Sequence, residues 1–310
     1  MILYVSGDLF QSPAQVLVNT VNTVGVMGKG IALEFKKLYP DMFKEYQKRC
    51  ESGDLDIGKL FLYKTTNKWV LNFPTKRHWR DASKVEYIER GLETFAQVYS
   101  EWGIHSIAFP PLGCGNGRLD FASQVQPIMH KYLSRLPIDV FIYPSLDEDL
   151  IAEQEQPDKI HTWLRGEPQS LPFSEVWADI SELLKARSEF TTPSGSSSFT
   201  VSISDAGDAL VINPENQSRY TIAYGALLAM WQQLRDHGFS RRDTVPGIDR
   251  RRFSHLFPVF ERLSYVTSIG ISDSYERFGR PGSRTLGLQV LPRMRKKEHE
   301  VHQLDLFVEV

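Results

Sequence analysis

Val16-Leu17-Val18-Asn19-Thr20-Val21-Asn22-Thr23-Val24-Gly25-Val26-Met27-Gly28-Lys29-Gly30-Ile31-Ala32 decides the fold of this chain. Val16–Asn19 reads as a short apolar strand. Two asparagines and a glycine cluster follow, and the apolar positions Ile31, Phe35 and Leu38 then recur at helical spacing. A strand that passes into a helix through glycines has two physical capacities. Glycine permits positive φ and close backbone approach. Amides at a helix start are unsatisfied and oriented to receive an anion, above all a phosphate. Gly28-Lys29-Gly30 sits where that helix begins.

The same alternation extends through residues 1–145. Ile2–Val5 predicts a strand ending at Gly7-Asp8-Leu9, and Met42 to Cys50 predicts a helix after Pro40. Leu60–Tyr63 and Trp69–Phe73 predict a strand pair across the polar Thr65-Thr66-Asn67-Lys68 turn. Val85, Ile88, Leu92, Phe95 and Tyr99 mark one helix face, and Val125, Ile128, Met129, Tyr132 and Leu133 another. Ile107–Phe109 is a strand ending at Pro110-Pro111 and leading into Leu112-Gly113-Cys114-Gly115-Asn116-Gly117, a second glycine loop; Val140–Tyr143 closes the set. Strands alternating with helices predict an α/β unit, a largely parallel sheet covered on both faces, with any ligand at the carboxyl ends of the strands.

Residues 146–172 are rich in acidic residues and carry Pro157, Pro168 and Pro172, so a domain over 1–150, a linker over 151–172 and a second domain over 173–310 are expected. In the second half Ser174 reads as the cap of a helix bearing Val176, Trp177, Ile180, Leu183 and Leu184. Phe199–Ile203 and Ala209–Ile212 flank the Ala206-Gly207-Asp208 turn as a hairpin. Helices around Ala223–His237 and Arg251–Leu263 follow, and the stretches Tyr265–Ile271 and Leu286–Leu291 are expected to return to the sheet. This order predicts a smaller α+β domain. Basic residues at Arg241-Arg242, Arg250-Arg251-Arg252 and Arg293 through Lys297 interleave with Asp205, Asp208, Asp243, Asp249, Asp273 and Glu276.

Composition narrows the function. The chain has 310 residues, 41% apolar and 24% charged, with a formal net charge of -2, so no whole-protein field draws nucleic acid and any such contact is local. Cys50 and Cys114 are its two cysteines; no CxxC or Cys/His cluster predicts a metal site or a disulfide framework. No apolar run is long enough to span a membrane, and the first residues lack the pattern of a signal peptide, which together predict a cytoplasmic protein without a membrane partner. Neither glycine loop matches the dinucleotide GxGxxG or Walker A pattern, which speaks against NAD and ATP, and no cofactor is expected.

Taken together, Gly7-Asp8, Val18–Asn22, Gly28–Ala32 and Gly113–Gly117 resemble the macrodomain family, over about 145 residues. Val18 through Gly30 and Asn72-Phe73-Pro74-Thr75-Lys76-Arg77-His78-Trp79 further resemble its DarG branch, antitoxins paired with DarT-type toxins. The resemblance implies a three-layer α/β/α fold that binds ADP-ribose. It implies that the first domain hydrolyses the N-glycosidic bond between ADP-ribose and thymidine in single-stranded DNA, and that the second domain sequesters a DarT-like toxin. A non-catalytic ADP-ribose reader, or a glycohydrolase acting on ADP-ribosylated protein, are the alternatives.

The resemblance also implies residue roles. Asp8, with Leu9 beside it, accepts from the adenine amino group, an apt task for an acceptor-only carboxylate. Tyr143 flanks the adenine. Asn22 faces the distal ribose hydroxyls. Amides near Gly28, Lys29, Gly30, Ile31, Gly113, Cys114, Gly115, Asn116 and Gly117 hold the diphosphate. Lys76 is the catalytic residue. In a related member of the family the equivalent lysine attacks the anomeric carbon and an aspartate of the second glycine loop resolves the adduct; here that position is Gly117. Two roles for Lys76 therefore stay open, nucleophile or charge-stabilising acid. Arg77, His78 and Arg80 are expected to meet DNA phosphates while Trp79 stacks on a base. Cys114 reads as a small loop residue rather than a nucleophile, because no paired histidine is evident.

Overall fold

The computed structural model describes residues 1–144, 162, 164–195, 197–215, 217–241, 248–271 and 285–291. The chain divides into two compact units, Met1–Thr162 and Trp163–Val310.

Among its described residues the first unit has six strands: β1 (Ile2–Tyr4), β2 (Val16–Asn22), β3 (Phe61–Tyr63), β4 (Trp69–Lys76), β5 (Ser106–Phe109) and β6 (Asp139–Ile142). They lie in the order β1-β6-β5-β2-β4-β3. All neighbours are parallel except the edge strand β3, which runs antiparallel to β4. The helices are α1 (Gly30–Leu38), α2 (Pro40–Glu51), α3 (Val85–Val98) and α4 (Gln126–Leu133).

Strand periodicity sorts these elements into layers. Successive side chains leave opposite faces of a sheet. Val16 and Val18 of β2, Leu71 and Phe73 of β4, and Ile107 and Phe109 of β5 join Ile88, Leu92 and Phe95 of α3 and Met129 of α4 in one core. Leu17, Val21, Val70 and Ala108, from the alternate positions, join Phe35 of α1 and Met42, Phe43 and Tyr46 of α2 in the other. Two cores, one on each face, make the three layers and the mixed, largely parallel sheet that the sequence predicts.

β4 runs further than expected. The sequence reading ended it at Phe73, before Pro74; the strand continues through Pro74 to Lys76. Proline cannot donate to a ladder and is tolerated at irregularities. Pro74 pairs with Val21 where the register shifts, and the next partners are Asn22 and Lys76.

Among its described residues the second unit has two antiparallel sheets. β7 (Glu189–Thr191), β8 (Ser198–Ile203), β9 (Ala209–Pro214) and β10 (Tyr220–Ala223) form one, in the order β10-β9-β8-β7, and contain the expected hairpin as β8–β9. β11 (Phe239–Arg241), β12 (Val266–Ile271) and β13 (Thr285–Val290) form a separate sheet, so the two late apolar stretches pair with each other instead of rejoining the first sheet. Its helices are α5 (Phe173–Ala186), α6 (Tyr224–His237) and α7 (Arg250–Glu261). α5 begins two residues earlier than expected, with Pro172 and not Ser174 at the cap. Part of the expected linker is packed into this unit. Leu164, Arg165 and Leu171 are buried, Arg165 Nε donates to Asp179 Oδ2 at 2.9 Å, and Trp231 Nε1 donates to the Leu171 carbonyl at 2.9 Å.

Most of the acidic linker, together with Arg242, Asp243, Asp273, Glu276 and Arg293 through Lys297, lies outside the described residues. Among the described residues, no helix is long and apolar enough to cross a membrane.

Candidate active site

The carboxyl ends of β2, β4 and β5 converge, as open parallel sheets require of a ligand site. β2 delivers Thr20, Val21 and Asn22, β4 delivers Thr75 and Lys76, and the chain after β5 supplies Pro110 and Pro111. Both glycine loops complete the walls of an open cleft. Among the described lining residues the charged side chains are Lys29 and Lys76, and none is acidic. A cleft with cations and amides but no carboxylate is complementary to a polyanion.

The first loop is wound around one side chain. Asn22 Oδ1 accepts from the Val24 and Val26 amides at 3.1 and 3.2 Å, and its Nδ2 donates to the Val26 carbonyl at 2.7 Å. The loop then enters α1, whose first turn no side chain caps. Its leading amides stay available to a ligand, where the helix dipole favours negative charge.

The second loop folds on itself. The Leu119 amide donates to the Gly113 carbonyl and the Cys114 amide to the Pro111 carbonyl, each at 3.1 Å. Gly113 takes φ +70°, and the Ser83 amide donates to the Gly117 carbonyl at 3.0 Å. Gly117 admits no larger residue: a Cβ there would collide with the Gly113 carbonyl and the Ser83 hydroxyl. The position that carries an aspartate in the related enzyme therefore has no room for one here. Asp120 does not replace it. It is exposed, caps the π-helical turn Phe121–Val125 by accepting from the Ser123 amide at 2.7 Å, and is held below the ordinary carboxylate range by the Ser123 hydroxyl and amide.

Lys76 reaches the cleft between the loops. The register shift sets it opposite Asn22 on the neighbouring strand. Its side chain is buried, and Nζ donates to the Trp79 carbonyl at 3.1 Å and the Asn116 carbonyl at 3.2 Å. Cys114 lines the same wall. Burial pushes its thiol up to about 12, so it is a neutral thiol near pH 7 and a poor nucleophile.

Of the residues anticipated from sequence, the cleft brings together Asn22, Gly28, Lys29, Gly30, Ile31, Lys76, Gly113, Cys114, Gly115, Asn116 and Gly117. Asp8, Leu9 and Tyr143 stand outside its lining. Asp8 is exposed and caps the 3-10 turn Leu9–Gln11 through the Phe10 amide at 2.9 Å, while Leu9 and Tyr143 are buried in the core beneath α1 and α2. The basic cluster after β4 is corrected in one member. Trp79 is 1% exposed, with the Arg80 guanidinium 4.4 Å above its ring, so it has no free face on which a base could stack. Arg77 Nη1 pairs with Asp56 Oδ1 at 3.0 Å on the surface. Thr20, Val26, Thr75, Pro110 and Pro111 line the cleft without having been anticipated; the extension of β4 past Pro74 is the signal that Thr75 belongs there.

The Macro domain family matches residues 18–128. A DNA ADP-ribosyl glycohydrolase of Mycobacterium tuberculosis is 49% identical over 148 residues, covering 46% of this chain and 42% of that protein. A DNA ADP-ribosyl transferase-DNA ADP-ribosyl glycohydrolase fusion protein of Thermosipho africanus is 40% identical over 172 residues, covering 49% of this chain and 44% of that protein. The chain thus spans less than half the length of the curated relatives it matches. Among solved structures, the macrodomain of Mycobacterium tuberculosis DarG is 48% identical with a TM-score of 0.45, covering 47% of this chain and 99% of that one. The unit that holds the cleft is a Macro domain, similar in sequence to those of the DarG DNA ADP-ribosyl glycohydrolases.

Proposed function

We propose that the first unit binds ADP-ribose and hydrolyses the N-glycosidic bond that joins it to thymidine in single-stranded DNA. The observation that carries this reading is Lys76, an ammonium held by two main-chain carbonyls at the meeting point of two amide-rich loops, in a cleft without a carboxylate. The diphosphate lies against the uncapped start of α1 on one side and the Gly113–Gly117 loop on the other. The distal ribose then falls between Asn22 and Lys76.

In hydrolysis the bond from C1″ to the base nitrogen breaks and its electron pair leaves with the base, while the oxygen of water bonds to C1″ and the proton that water sheds replaces the one Lys76 gives to the base. A fixed ammonium suits the departing base, because it stabilises the developing negative charge and can give it a proton. The crowding at Gly117 removes the carboxylate that would resolve a lysine adduct, and so favours this acid role over the nucleophilic one.

The second unit is proposed to sequester a DarT-like toxin, a transferase that installs the modification. The Thermosipho relative, in which transferase and glycohydrolase are one polypeptide, supports that pairing.

Lys76→Ala tests both parts. On ADP-ribosylated single-stranded DNA, turnover falls by at least about a hundredfold while calorimetry still records ADP-ribose binding. Normal turnover in the variant would remove Lys76 from the chemistry. Release of ADP-ribose from modified protein but not from modified DNA would establish the protein-directed alternative, and binding without turnover of either by the wild type would establish a reader. Co-expressed with its cognate transferase, the same variant is expected to retain partial protection, because sequestration does not need turnover.

A further inference from the structure

The mechanism above leaves Tyr46 unused. It is fully buried on α2, 24 residues from Asn22 in the chain, and packs among Met42, Phe43 and Leu17. An aromatic at that position needs no hydroxyl for packing, yet the hydroxyl is at the centre of a network. It donates to the Asn22 carbonyl at 2.8 Å and lies 3.1 Å from Asn22 Oδ1. The neighbouring Gln47 Nε2 donates to the Gly25 carbonyl at 3.3 Å, so one face of α2 grips both ends of the Asn22–Gly25 turn.

A donor inventory shows the effect. A carboxamide has an oxygen with two lone pairs and two N–H groups. Asn22 Oδ1 accepts from the Val24 and Val26 amides, which take its two lone pairs, and one N–H is taken by the Val26 carbonyl; the Tyr46 hydroxyl, with one proton between the main-chain carbonyl and Oδ1 of Asn22, braces both oxygens of the residue. What remains for the cleft is one N–H. The amide cannot flip, since its NH2 would then confront two backbone N–H donors. Asn22 therefore faces a ligand as a donor only.

We propose that Tyr46 is a positioning residue of the cleft: its hydroxyl, set against the main-chain and side-chain oxygens of Asn22, holds that residue in place while the loop amides set the orientation of its carboxamide, so that a single N–H is presented to the distal ribose of ADP-ribose. The inference rests on the ADP-ribose reading. Burial pushes the Tyr46 phenol well above its ordinary value, which keeps it a donor across the working pH range. The ribose hydroxyl that meets Asn22 acts as acceptor and must donate its own proton elsewhere, so a ligand lacking that hydroxyl gains nothing from Tyr46.

Calorimetry with two probes, ADP-ribose and ADP, tests this. Tyr46→Phe keeps the ring and removes the hydroxyl. Its affinity for ADP-ribose falls about tenfold, the worth of one well-placed hydrogen bond, while its affinity for ADP, which has no distal ribose, is unchanged. In an Asn22→Ala background the same substitution costs nothing further, because the hydroxyl acts through Asn22. A variant that binds both probes as the wild type does, or that loses both equally, overturns the proposal; the second result would mean that the hydroxyl merely supports the loop. If the wild type itself fails to bind ADP-ribose, it is the functional reading that falls. Should Tyr46→Phe not fold, nitrogen-edited NMR of the wild type decides: the Asn22 side-chain amide signals shift with ADP-ribose and not with ADP, and the reverse or an equal response overturns the proposal.

Discussion

Lys76 and Gly117 occupy opposite ends of the same chemical question. A lysine that forms an adduct needs a partner to discharge it, and Gly117 is closed to a side chain by the Gly113 carbonyl and the Ser83 hydroxyl. The second loop is thus shaped by contact with its own backbone and with Ser83, whose buried hydroxyl meets no hydrogen-bond partner among the described residues. Gly117→Ala forces that contact apart. The expected cost is about 1–3 kcal/mol of stability, read as a lower Tm, together with weaker ADP-ribose binding because the loop amides move. An alanine variant with unchanged Tm and affinity would show that the loop yields freely and that an acidic residue is not excluded there.

At the scale of elements, the cleft depends on how closely helices seat on the sheet. α3 meets β4 at Gly91, where a Cβ would collide with the Phe73 ring. Phe73 lies three residues before Lys76 on the same strand. Gly91→Ala must push α3 away or turn Phe73 out of its well, and a Tm several degrees lower is expected in thermal melts; an unchanged melt would contradict the packing. The sequence showed the elements that carry a clean period: β2, α3 and the β8–β9 hairpin are where their apolar spacing places them. It hid β4 beyond Phe73, because a proline in an interior strand reads as a stop unless the neighbouring strand is known to shift register at that point. It hid the burial of Trp79, since a Lys-Arg-His-Trp-Arg run has the composition of an exposed turn. It hid Tyr46 as well, because an aromatic on a helix face reads as core, and its hydroxyl gains a role only through a partner 24 residues away.

Across the whole molecule, the two units differ in what their sequences made legible. Asn22, Lys76 and the residues of the two glycine loops lie at strand ends and were legible from motif order, while Thr20, Val26, Thr75, Pro110 and Pro111 were not. The second unit has no such motif, and its two sheets were not separable from sequence, since pairing partners for late strands depend on tertiary contacts. Its pH response is readable from structure. His255 is buried against Phe199, with Nδ1 2.8 Å from the Tyr220 hydroxyl, and faces Arg251 and Asp249. Burial lowers its pKa below the ordinary 6.5. An unfolded chain then takes up a proton near pH 6.5 that the folded one refuses until lower pH, so stability is lost as pH falls below about 6.5. The transition of the second unit should move to lower Tm between pH 7 and pH 5.5, and His255→Asn should reduce that movement; equal movement in the variant would assign the effect to other groups.

The central claim is that two backbone-amide loops hold a diphosphate while Lys76 reaches the sugar carbon beyond it. A crystal structure of the Lys76→Ala variant with an ADP-ribosylated thymidine oligonucleotide tests it most directly. The account predicts phosphate oxygens against the amides of Gly30–Ala32 and Gly113–Gly117, with C1″ opposite the vacated Lys76 side chain. A ligand bound elsewhere, or bound with C1″ turned away from residue 76, would contradict it.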